Sequence, residues 1–145
     1  MTAAGGCLCG AVRYRLDKAP TAFGVCHCGM CRRWGGGVTM GVEVPPGGLT
    51  WQQGKDRIAT YQSSDWAERG WCQACGGQLF WRMTADGPMH GMLSPAAPSL
   101  DRFDTLDFGA EIYIDAKPDS YAFAGDRPRI TEAQLLASLD AGGAS

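Results

Sequence analysis

The sequence has little that would commit it to nucleic acid or to a membrane. Thirteen basic residues against fifteen acidic ones leave a formal charge of −2 at neutral pH, whereas chains that live on phosphate backbones are usually basic. No stretch approaches the roughly 20 apolar residues that cross a bilayer. The opening residues Met1 to Gly6 lack the charged start and apolar run of an export signal. The expectation is a soluble, cytoplasmic protein with no nucleic-acid or membrane partner. Strong helix signals are also few, and 21 glycines with 8 prolines point to many turns and short elements. With no internal repeat and no linker, residues 1–145 read as one domain.

What the chain does have is seven cysteines in three groups: Cys7-Leu8-Cys9, Cys26-His27-Cys28-Gly29-Met30-Cys31 and Cys72-Gln73-Ala74-Cys75. An odd count with no export signal argues against disulfides. Thiolates two to four positions apart instead converge well on one tetrahedral zinc ion. Seven divides as four plus three. Cys7, Cys9, Cys72 and Cys75 make a closed four-thiolate site, the glycines after Cys75 letting the backbone turn tightly behind it. Cys26, Cys28 and Cys31 make a second site with one position open to water or a substrate sulfur. A redox trio or an empty site would show the same spacing.

His27 sits between two proposed ligands, so in an extended segment its side chain points away from them. It reads as a supporting or surface histidine rather than a fourth ligand. His90 reads as a hydrogen-bonded histidine on a strand. Arg32 and Arg33 follow Cys31 directly and could hold an anionic substrate, although solvated arginines are the common case.

Short strands account for most of the remaining pattern. Val12, Tyr14 and Leu16 alternate with Arg13 and Arg15 within a strand over 11–16, and 38–44 gives another. Residues 49–52 and 57–61 suggest a hairpin through Gly54-Lys55-Asp56, with later strands at 78–83 and 111–114. Cys31 to Trp34 suggests one helical turn. Thr131 and Gln134 form a capping box that opens a short C-terminal helix, and the tail Ala141–Ser145 is expected to fray. Four of the five tryptophans lie between Trp51 and Trp81, where core packing is the expected role.

The ordered run Gly6-Cys7-Leu8-Cys9-Gly10, Cys26-His27-Cys28-Gly29-Met30-Cys31-Arg32, Cys72-Gln73-Ala74-Cys75-Gly76 and Ile112-Tyr113-Ile114-Asp115-Ala116-Lys117-Pro118-Asp119 resembles the glutathione-dependent formaldehyde-activating enzyme family, also called centromere-protein-V-like. The resemblance implies a mainly β fold, the zinc-binding β-tent of small antiparallel sheets. It implies structural zinc on Cys7, Cys9, Cys72 and Cys75, and a catalytic zinc on Cys26, Cys28 and Cys31. The chain departs from relatives at Glu111, where histidine is frequent, at Ser120, where tryptophan is common, and at Gly29, often a polar residue.

The function so implied is a zinc-dependent carbon–sulfur lyase of the S-(hydroxymethyl)glutathione synthase type. It would add a small thiol such as glutathione to formaldehyde or a similar aldehyde, or release it. Three thiolates blunt the Lewis acidity of zinc, which disfavours making hydroxide and favours sulfur exchange. Thiols also add to formaldehyde unaided, so the other reading is a non-catalytic, zinc-stabilised binding module with the structural ion alone.

Overall fold

In the computed structural model, which describes residues 1–143, the alternating run forms a strand at Arg13–Leu16, with Tyr14 and Leu16 buried and Arg15 exposed. The strands in chain order are β1 (Ala3–Gly6), β2 (Arg13–Leu16), β3 (Ala22–Cys26), β4 (Thr39–Gly41), β5 (Leu49–Gln53), β6 (Ile58–Gln62), β7 (Ala67–Cys72), β8 (Gln78–Met83), β9 (Leu93–Pro95), β10 (Asp107–Ile112) and β11 (Arg129–Ile130). Two α-helices, α1 (Gly29–Gly35) and α2 (Glu132–Gly143), complete the regular structure with four single 3-10 turns. The fold is mainly β, in small sheets that are largely antiparallel. No helix among the described residues is long and apolar enough to cross a membrane.

The chain gathers into two compact units. The first comprises Met1–Phe23 and Gly41–Asp107, and the second Gly24–Met40 and Phe108–Ser145. The first holds sheets ordered β1-β2-β5 and β6-β7-β8-β9. Its core is Val12, Tyr14, Leu16, Leu79, Phe80 and their neighbours. Trp51 bridges ring to ring, edge-on to Tyr14 at 5.9 Å and tilted against Phe80 at 5.6 Å. The second unit is built on the sheet β11-β10-β3-β4, in which the short β10–β11 pairing is parallel.

Several sequence expectations need correction. Strands 49–53 and 58–62 do not form a hairpin: β5 pairs with β2 and β6 with β7. Gly54 lies in the left-handed region at φ 75°, and a Cβ there would strike the Ala11 carbonyl. The Lys55–Arg57 3-10 turn then sends the chain into a different sheet. The strand expected over 111–114 stops at Ile112, because Tyr113 takes a left-handed conformation at φ 55°, ψ 42°. None of the five tryptophans is fully buried, and Trp66 is exposed. Trp51, Trp71 and Trp81 lie half-buried on strands β5, β7 and β8, and the fully buried core is filled by smaller side chains with Tyr14 and Phe80.

The capping box forms as expected. Thr131 N–H donates to Gln134 Oε1 at 2.9 Å, and Gln134 N–H to Thr131 Oγ1 at 3.2 Å. The helix it opens runs through Gly143, further than the expected fraying at Ala141; Ala144 and Ser145 lie outside the described residues.

Candidate metal centres

The sulfurs of Cys7, Cys9, Cys72 and Cys75 lie within 4.8 Å of one another, and those of Cys26, Cys28 and Cys31 do likewise. Both cysteine clusters could hold a metal ion. The division into four and three is that expected from spacing, and each cluster falls within one unit of the fold.

The four-cysteine cluster is made by two turns of the same design. Cys7 and Cys9 follow β1, and Gly10 at φ 81° sends its N–H back to the Cys7 carbonyl at 3.2 Å. Cys72 ends β7, and Gly76 at φ 74° donates to the Cys72 carbonyl at 2.8 Å. In each case a glycine takes the positive φ that other residues resist. The turns also aim backbone donors at sulfur: Val12 N–H reaches Cys7 Sγ at 3.3 Å, and Gly77 N–H reaches Cys75 Sγ at 3.4 Å. The N–H groups of Cys9 and Gly77 pull the Cys75 thiol down to about 6.

Four sulfurs placed about 2.3 Å from a tetrahedral ion are about 3.8 Å apart. Cys7 and Cys9 Sγ are 3.7 Å apart, and Cys9 and Cys72 Sγ 3.9 Å. The donor set and its spacing fit a tetrahedral thiolate site.

In the second unit Cys26 ends β3, Cys28 is the N-cap of α1, and Cys31 lies buried in the helix. The Cys28 backbone is extended at φ −61°, ψ 156°, and its sulfur accepts the Cys31 N–H at 3.3 Å. The neighbouring thiols of Cys26 and Cys31, with backbone donors, hold the Cys28 thiol down to about 2 against the opposing effect of burial. These contacts favour the thiolate form of Cys28, the form that binds a cation.

Arg32 and Arg33 both lie exposed in the last turn of α1. Arg32 N–H donates to the Cys28 carbonyl at 2.9 Å, so Arg32 stands one turn beyond Cys28 on the same side of the helix. Arg33 is turned further round.

His27 is not a surface residue. It is 2% exposed and contributes no atom to the cysteine cluster. Its Nε2 lies 2.7 Å from Glu111 Oε1. The other carboxylate oxygen accepts from Arg127 Nη1 at 2.8 Å and Arg129 Nε at 3.1 Å. The Arg127 guanidinium also stacks 3.8 Å over Phe108. Burial works against the Glu111 charge, but His27 and Arg127 prevail and hold its carboxyl below the usual range. Sequence reasoning missed this network, because its members lie far apart in the chain. His90 is hydrogen-bonded as expected, with Nδ1 3.1 Å from the Thr84 carbonyl, but on an exposed turn rather than a strand.

The sequence profile of the glutathione-dependent formaldehyde-activating enzyme family matches residues 2–116, a span that includes all seven cysteines. The chain belongs to that family. An uncharacterized lyase of Schizosaccharomyces pombe is 27% identical over 135 residues, covering 93% of this chain and 95% of the yeast protein. A crystal structure of a Rhodobacter sphaeroides protein has the same fold, with a TM-score of 0.56 at 22% identity over 68% of this chain and 88% of that one. The family match ends at Ala116, so Arg127 and Arg129 of the buried network lie beyond it.

Proposed function

We propose that this protein is a zinc-dependent carbon–sulfur lyase of the S-(hydroxymethyl)glutathione synthase type. Family membership and the lyase name of the yeast relative support a carbon–sulfur lyase role in general. The observation that carries the finer reading is the donor count. Cys7, Cys9, Cys72 and Cys75 would close a structural zinc, whereas Cys26, Cys28 and Cys31 would leave a fourth position open.

The chemistry a zinc ion would supply at the three-cysteine cluster is a positive charge that favours the thiolate form of a substrate thiol. The overall change is balanced without any redox partner. A sulfur–carbon bond forms, the carbonyl π bond of formaldehyde opens, and the thiol proton ends on the former aldehyde oxygen; release runs the same steps backwards. Cys28 at the N-cap of α1 and the buried Cys31 inside that helix would supply two of the donors from one rigid turn. Arg32, with Arg33 beside it, would hold the carboxylates of a thiol such as glutathione and so orient its sulfur.

Zinc content of the purified chain tests this reading. Two ions per chain are expected, falling to one in Cys28→Ser. One ion per chain in the wild type would instead favour a zinc-stabilised binding module without turnover.

A further inference from the structure

His27 is tied to β10 twice. Its backbone N–H donates to the Ile112 carbonyl at 3.1 Å, and its Nε2 meets Glu111 Oε1 at 2.7 Å. Main chain and side chain are therefore both anchored to consecutive residues of one strand. Side chains alternate along extended backbone, so anchoring His27 on one side sets where its two neighbours, Cys26 and Cys28, present their sulfurs on the other.

The anchor is itself held rigidly. Glu111 is 1% exposed, and a lone carboxylate there would be costly to bury. Arg127 and Arg129 both donate to its Oε2, which leaves Oε1 for the histidine. A carboxylate needs a donor, so the ring proton is assigned to Nε2. The buried Nδ1 has no hydrogen-bond partner among the described residues. Tyr121 and Phe123 flank the ring, with centroids 6.4 and 6.1 Å away, and Glu111 supplies the directional contact at Nε2 that sets its orientation.

We propose that Glu111 is a positioning residue for the three-cysteine metal site, acting through His27 and backed by Arg127 and Arg129. This deepens the proposed function and rests on its assignment of a second ion to Cys26, Cys28 and Cys31. Such outer supports typically change metal affinity by about 10- to 100-fold when removed. A purely structural ion pair would lower stability and leave the relative affinities of the two sites as they were.

The test is stepwise removal of zinc from the loaded, full-length chain by a chromophoric chelator. Cys28→Ser identifies the step that belongs to the three-cysteine cluster. Glu111→Gln, which keeps the side-chain shape but loses the charge, is expected to loosen that step by about tenfold or more and leave the other unmoved. Glu111→Asp keeps the charge for the arginines but shortens the reach to His27; it should loosen the same step, and decides the matter alone if the glutamine variant does not fold. Arg13→Ala, which breaks the Arg13–Asp101 ion pair of the first unit, should leave the three-cysteine step unmoved.

Two steps in the wild type with neither moved, or both moved equally, in the Glu111 variants would overturn this inference alone. An equal loosening in Arg13→Ala would do the same. A single step in the wild type would overturn it together with the two-ion reading.

Discussion

Cys9 and Cys72 lie 63 positions apart in the chain, yet their sulfurs are 3.9 Å apart. That proximity ties the turn after β1 to the end of β7, so a metal ion there would close a long loop within the first unit. Cys72 is completely buried, and two sheets of that unit end at the cluster.

From this geometry Cys72→Ser should unfold or aggregate the protein, since structural zinc contributes folding free energy on the order of 10 kcal/mol in small metal domains. Cys28→Ser should stay folded and lose one ion. Thermal melts of both variants decide it; equal melting temperatures would contradict the four-plus-three division of labour.

Arg32 and Arg33 are no longer equivalent once α1 is in view. Arg32 stands one turn from Cys28, and Arg33 is rotated away. Calorimetric titration with glutathione should show Arg32→Ala weakened by about 10- to 150-fold, the value of one charge-assisted contact of roughly 1.5–3 kcal/mol. Arg33→Ala should change binding much less, and zinc content should stay constant in both. No change in either variant would return both arginines to the class of solvated surface residues.

The cysteine clusters were legible because thiols brought together by short turns keep a close spacing in sequence. The alternation of Val12, Tyr14 and Leu16 was legible for a similar reason, since one buried face enforces period two. The route of the chain after β5 was not. A glycine turn between two strand-like runs looks the same whether the strands pair or part, and the contact of Gly54 with Ala11 that separates them is made over long range. The Glu111 network was hidden too. His27, Glu111, Arg127 and Arg129 share no local pattern, and only the pairing of β10 with β3 and β11 brings them together.

Tyr14 offers a pH signature independent of any metal. Its ring is fully buried, and its hydroxyl lies 2.7 Å from Ser99 Oγ. Ser99 Oγ donates onward to the Ala96 carbonyl at 2.6 Å, so Tyr14 is the donor of the pair. Burial pushes its pKa up from 10.0 to about 12. A raised value means the neutral phenol is favoured in the folded state. Its stabilising contribution is therefore complete below pH 10 and is lost as pH rises through 12, at about 1.4 kcal/mol per pH unit. Urea unfolding of wild type and Tyr14→Phe at pH 8 and pH 11 should show the wild type losing more stability between the two. A difference that stays constant would contradict the buried, neutral phenol.

The most direct test of the lyase reading is the rate at which glutathione and carbon-13 formaldehyde interconvert with their S-hydroxymethyl adduct, followed by exchange NMR on the zinc-loaded chain. The wild type is predicted to speed the exchange in proportion to its concentration. Cys28→Ser, still folded on its four-cysteine site, should fall back to the rate in buffer. A wild-type protein that carries both ions and exchanges no faster than buffer would contradict the account.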